Sequence, residues 1–196
     1  MPGATVTVAV EGDTDAAIVR RVLDEVGLEL SFAYGLKGKN FLDRNLAGYN
    51  RAAQHTPWLI VRDLDIDASC APILASRLLP LAARQMCLCV AVHSVEAWLL
   101  ADREKLSEFL RVAKSLVPAF PETETWPKRT LVNLSRRSRR RAIREDMVPP
   151  EGFSSAVGPG YRARLIEFAQ DHWRPAIAAR SSNSLARCLR KLAAWT

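Results

Sequence analysis

The sequence predicts an α/β fold, and three features predict it. Four short apolar runs are rich in β-branched residues, segments of helical periodicity separate them, and acids gather where the runs end. Near-continuous apolar strands that alternate with amphipathic helices indicate a sheet of about four mainly parallel strands between helices. A basic, helical C-terminal extension follows it.

The first strand is ATVTVAV, residues 4–10. In the next helix apolar residues recur as Ile18/Val19, Val22/Leu23 and Val26, three or four apart, and the helix stops at Gly27. LELSFAY (28–34) is the second strand, and Phe41, Leu42, Leu46 and Tyr49 mark a second helix after the GLKGK loop. PWLIVRDLD (57–65) is the third strand. A third helix is expected over 71–85, with Pro72 in its first turn and Pro80 kinking it. MCLCVAVHS (86–94) is the fourth strand, and residues 96–111 form one long helix whose Trp98, Leu99 and Leu100 enter the core. The expected domains are an α/β core over 1–116, a proline-rich connector over 117–128 (VPAFPETETWPK), and a basic extension over 129–196. In the extension, 151–161 reads as a mobile loop. Helices around 161–172 and 181–194 are expected to pack back on the sheet through Leu165, Ile166, Phe168, Leu185, Leu189 and Leu192.

Composition narrows the function classes. A chain of 196 residues with 48% hydrophobic and 25% charged residues has enough material for a proper core. No apolar run reaches the ~18 residues of a membrane span. The N-terminus lacks a basic region followed by a long apolar one, so neither a membrane nor a signal peptide is expected, and the cytoplasm is the expected location. Cys70, Cys87, Cys89 and Cys188 form no CxxC pair and read as reduced thiols, with Cys87 and Cys89 on one face of a strand. Charge is divided unevenly. Residues 1–127 hold 13 Lys+Arg against 16 Asp+Glu, whereas 128–196 hold 15 against 5. A basic third on an acidic body points to a polyanionic partner.

In an open parallel sheet the functional crevice lies beyond the carboxyl ends of the strands. Strand one ends at Glu11, strand three runs into Asp63, Asp65 and Asp67, and strand four ends just before Glu96. These carboxylates repel one another unless positive charge sits among them. Hard oxygen donors of this kind suit Mg²⁺ or Mn²⁺, and alternate residues of an extended segment would let Asp63 and Asp65 share an ion. The plain alternative is that Arg62, Lys37 and Lys39 pair with these acids. His93 reads as a structural histidine, and Asp13 and Asp15 as acids favoured at a helix start. In the basic extension, SRRSRRRAIR (135–144) carries Arg136, Arg137, Arg139, Arg140, Arg141 and Arg144. It is read as a phosphate-backbone surface, with Lys37 and Lys39 as further nucleic-acid contacts.

A strand ending in EG, followed some 50 residues later by apolar residues and DLD, resembles the TOPRIM domain of primases, topoisomerases and related nucleases. EGDTD with LIVRDLDID, HSVEAWLLAD, WPKRTL and GYRARL...RCLRKL is similar to a small bacterial TOPRIM-like family known as a domain of unknown function. The resemblance implies a TOPRIM/Rossmann-like sheet and a Mg²⁺- or Mn²⁺-dependent nuclease. Glu11 would be its general acid/base, Asp63 and Asp65 would hold the metal, and Asp67 or Glu96 would complete a second site. It implies nucleic acid as partner, DNA before RNA, and a setting such as phage defence or DNA processing beside a partner protein such as an ATPase. Two other readings stay open: a non-catalytic module that binds nucleic acid or protein, and a DxD phosphatase with Asp63 as nucleophile.

Overall fold

The computed structural model describes residues 4–196. Strands β1 (Thr5–Val10), β2 (Glu29–Gly35), β3 (Trp58–Asp63) and β4 (Met86–Ala91) form one parallel sheet in the order β2-β1-β3-β4. Parallel neighbours need long crossovers, and helices α1 (Asp13–Glu25), α2 (Lys39–Ala52) and α3 (Ala71–Leu78) supply them. The α/β expectation holds. Val6, Val8, Ala9 and Val10 of β1 and Leu59, Ile60 and Val61 of β3 are almost fully buried, because helices cover both faces. Each such valine, leucine or isoleucine contributes about 1.5–3 kcal/mol by leaving water. The chain passes from β1 out to β2 and then returns to the other side of β1 for β3. The crevice of the sheet therefore lies between the carboxyl ends of β1 and β3.

The chain packs as two compact units, residues up to Val95 with Ser184–Thr196, and Glu96–Asn183. The first holds the sheet, α1 to α3 and nearly all of α10 (Asn183–Leu192). There Leu185, Cys188 and Leu192 are buried, Leu189 is half-buried, and Lys191 Nζ donates to the Leu88 carbonyl at 3.2 Å. The second unit is helical. It contains α4 (Val95–Ala101) from Glu96 onward, α5 (Arg103–Leu110), α6 (Pro127–Arg136), α7 (Arg141–Met147), α8 (Tyr161–Asp171) and α9 (Pro175–Ala178). Leu165 and Phe168 of α8 are buried in this unit, with Phe168 against Phe109 at a centroid distance of 5.3 Å.

Several boundaries differ from the sequence reading. Helix α3 ends at Leu78, because the residue before Pro80 is pushed out of the helical region; Leu79 has φ −141° and ψ 78°. Pro80 thus stops the helix instead of kinking it. The long helix over 96–111 is two helices, broken at Asp102. Its carboxylate accepts the Lys105 N–H at 3.3 Å as a new cap and pairs with Arg174 Nη2 at 2.8 Å. The connector contains a 3-10 turn at Pro121–Thr123 and the start of α6 at Pro127. Within 151–161, the second half is tied down, with Gly158 and Gly160 donating to the carbonyls of Met147 and Asp146. Trp98, Leu99 and Leu100 are fully buried, and the Cys87 and Cys89 thiols share a face 3.5 Å apart. Among the described residues, no helix is long and apolar enough to cross a membrane.

Candidate functional site

The carboxyl ends of β1 and β3 bring Glu11, Asp63, Asp65 and Asp67 together, and a hydrogen bond joins the two strand ends. Glu11 Oε1 accepts the backbone N–H of Asp63 at 3.0 Å. Asp63 Oδ1 in turn accepts the Val95 N–H at 3.0 Å, which fixes that carboxylate at the strand end. Gly35 makes this edge possible. A Cβ there would meet the Val10 carbonyl oxygen at 2.2 Å, and its φ of +91° lies where side chains are strained. The backbone can then bring Leu36 N–H to the Val10 carbonyl at 3.1 Å and Gly38 N–H to the Glu11 carbonyl at 2.9 Å.

The extended run expected to carry both Asp63 and Asp65 stops two residues short of Asp65. Strand β3 ends at Asp63, and Asp65 is left-handed, with φ +46°. This turn wraps the loop back over the strand end. His93 holds it from behind: its carbonyl accepts the Asp65 N–H at 2.8 Å, and its Nδ1 lies 3.2 Å from the Asp65 carbonyl oxygen. His93 therefore positions the acid loop through the backbone, a structural role as expected. Asp15 serves the helix start, where its Oδ2 accepts the Gly12 N–H at 2.9 Å.

At the centre lies Arg62, 2% exposed on β3. Its guanidinium contacts Asp43 at 3.1 and 3.2 Å, Asp67 at 2.6 Å and Glu11 at 3.4 Å, and it also donates to the Asp63 carbonyl. Burial works against its charge, but the bonds to Asp43 and Asp67 and the charge of Glu11 outweigh that, so it stays firmly protonated. Lys39 Nζ sits 2.9 Å from Asp65 Oδ2 and 3.0 and 3.1 Å from the two Asp67 oxygens, and these bonds raise its affinity for its proton. Hydrogen bonding from Arg62, helped by Lys39, holds the Asp67 carboxyl below its usual range. Glu11 is shifted the other way. Burial pushes its carboxyl up, against the Asp63 N–H and the Arg62 charge, and the negative charge of Asp65 adds to the rise.

The chain thus supplies two of its own cations to five carboxylates: Glu11, Asp43, Asp63, Asp65 and Asp67. Asp43 was missed in the sequence because it lies mid-helix in α2, far from any strand end. The signal for Arg62 was visible, since an arginine inside the apolar run LIVRD must have a buried partner. Among the described residues no three His, Cys, Asp or Glu side chains are grouped to hold a metal ion. The acids close on Arg62 and Lys39 instead. Their donor chemistry nevertheless fits a hard divalent cation. All are carboxylate oxygens, negative charge remains in excess, and the Lys39 ammonium already marks a point where Asp65 and Asp67 converge on positive charge.

No family model, curated protein or solved structure matches this chain.

The other predicted site residues make contacts of their own. Glu96 belongs to the helical unit, where it is buried, 3.5 Å from Lys128 Nζ. Lys37 is exposed, its ammonium 5.2 Å from the centroid of the Phe41 ring. The arginine run is not one helix face. Arg136 closes α6, Arg137 to Arg140 form a turn, and Arg141 opens α7. Ser138 shapes that turn by accepting the Arg140 N–H at 3.0 Å. Arg141 pairs with Glu145 at 2.7 Å, and Arg144 donates to the Ser138 carbonyl, whereas Arg136, Arg137, Arg139 and Arg140 are exposed.

Proposed function

We propose that this chain is a Mg²⁺- or Mn²⁺-dependent nuclease of TOPRIM type. The observation that carries the reading is the link between Glu11 and Asp63 at the crevice of a parallel sheet. A carboxyl group raised by burial is placed against a strand end that leads into three aspartates. Glu11 is suited to hold or release a proton at a phosphodiester oxygen, since a general acid or base works best when its pKa lies near the working pH. Asp63, Asp65 and Asp67 would hold the metal, with Lys39 displaced from Asp65 and Asp67. The ion would supply charge stabilisation at the reacting phosphate and a nucleophilic water. Arg62 keeps the cluster assembled in either state, because it reaches Glu11, Asp43 and Asp67 from within the strand. Arginines of the helical unit would bring the polyanion, DNA before RNA, and a bacterial defence or DNA-processing role would follow. The test is cleavage of end-labelled DNA and RNA with Mg²⁺ or Mn²⁺ against a chelator. Metal-dependent cleavage without a covalent phospho-aspartate supports the reading; a phospho-aspartate on Asp63 would replace it with a phosphatase.

One observation favours a second reading, a module that binds without catalysis. Arg62 and Lys39 already neutralise part of the acidic cluster, so the network holds together without a metal. Under that reading nucleic acid binds equally well in chelator, and no divalent ion yields cleavage.

A further inference from the structure

The helical unit contains a basic cleft that the sequence does not announce. Helix α5 ends at Leu110, its cap Arg111 turns the chain sharply with a φ of +54°, and the turn at 137–140 lies against it, with the Arg139 N–H donating to the Arg111 carbonyl at 3.3 Å. That bond brings together two segments 28 positions apart and sets Arg111 beside Arg139 and Arg140. The three line a cleft of about 620 Å³, and an adjoining hollow adds Lys105 and His172. Among the described residues none of these three arginines has a carboxylate partner within ion-pair distance. The one acid in the cleft, Glu108, is engaged by Lys105 at 2.8 Å. The carbonyl end of α5 is closed by the Arg111 and Val112 amides, which donate to Glu108 and Ser107, so side chains set the charge of the cleft. The contrast with the rest of the run is sharp, because Arg141 is paired with Glu145 and Arg144 is bonded to the Ser138 carbonyl.

We propose that this cleft, formed by Arg111, Arg139 and Arg140, is the subsite that grips backbone phosphate of the nucleic acid. The inference rests on the reading of the chain as a nucleic-acid enzyme and deepens it. It selects two arginines from a run of six and adds a third from another helix. Guanidinium groups suit a phosphodiester through paired hydrogen bonds, and backbone contact of this kind is independent of sequence. Arg136 and Arg137, exposed but outside the cleft, contribute only general attraction.

The test is fluorescence anisotropy with a labelled duplex DNA, in chelator, across a range of KCl concentrations. The proteins are the wild type, Arg111→Asn, the double variant Arg139→Gln/Arg140→Gln, and the control Arg136→Gln/Arg137→Gln. Asparagine at 111 tolerates the left-handed backbone, and unchanged melting curves verify folding. The cleft variants are expected to bind about tenfold more weakly, with the slope of log affinity against log salt flatter by about one per lost phosphate contact, while the control stays close to wild type. If the wild type binds and the cleft variants keep its affinity and slope, the cleft assignment is wrong and nucleic-acid binding stands. If the wild type binds no nucleic acid, either in chelator or with Mn²⁺, both fall.

Discussion

Glu11 Oε1 and the backbone N–H of Asp63 are 3.0 Å apart, so the ends of two neighbouring parallel strands are tied together at the switch point of the sheet. A side chain from one strand thereby fixes the backbone from which the acid loop of the next departs. The reading of this protein as an enzyme depends on that contact.

Replacing Glu11 by glutamine keeps an acceptor for the Asp63 N–H and removes the ability to take a proton. Cleavage of labelled DNA should fall about 10²–10⁴-fold, with DNA binding largely kept. A gel assay with a binding control reads both. Undiminished cleavage would remove Glu11 from the chemistry.

The same variant carries a pH signature in metal-free buffer. Burial raises the Glu11 carboxyl, so the folded state holds its proton more tightly than the unfolded chain and the ionised form costs stability at neutral pH. That cost is absent below the ordinary glutamate range and grows as pH rises through the raised value. Relative to wild type, Glu11→Gln should therefore melt higher at neutral pH, and the gain should vanish below about pH 4. A constant difference across that window would contradict the burial.

Gly35 allows the edge to close. Gly35→Ala places a Cβ 2.2 Å from the Val10 carbonyl oxygen on a residue at φ +91°. We expect a loss of about 2–3 kcal/mol in urea unfolding. Gly27→Ala is the control: its Cβ would meet nothing within 4 Å, although its φ is also positive, at +74°. The difference between the two isolates the clash from the backbone strain.

The strand and helix order was legible because the strands are short apolar runs buried on both faces, which leaves little choice of partner architecture. Breaks decided by one residue were less visible. Asp102 divides a helix by capping its second half and pairing with Arg174, a partner 72 positions away. The acids at the strand ends were likewise legible, whereas their arrangement was not. Asp65 turns left-handed under bonds from His93, and Asp43 arrives from the middle of α2 to meet Arg62. Neither follows from local pattern. Arg111 was invisible for the same reason, since only the packed backbone places it beside Arg139.

At the proposed metal site, Lys39 would compete with the ion for Asp65 and Asp67. Lys39→Met should strengthen Mn²⁺ binding roughly fivefold, because a half-exposed ion pair contributes up to about 1 kcal/mol. Unaltered affinity would show that Asp65 and Asp67 are not ligands.

Titration calorimetry with Mn²⁺, on the wild type and on Asp63→Asn, tests the central claim most directly. Asparagine retains an oxygen for the Val95 N–H, so the fold should survive the change. The account predicts binding in the micromolar-to-millimolar range for the wild type, accompanied by a rise in Tm, and clearly weaker binding for the variant. No heat and no change in Tm at millimolar Mn²⁺, or equal binding by both proteins, would contradict it.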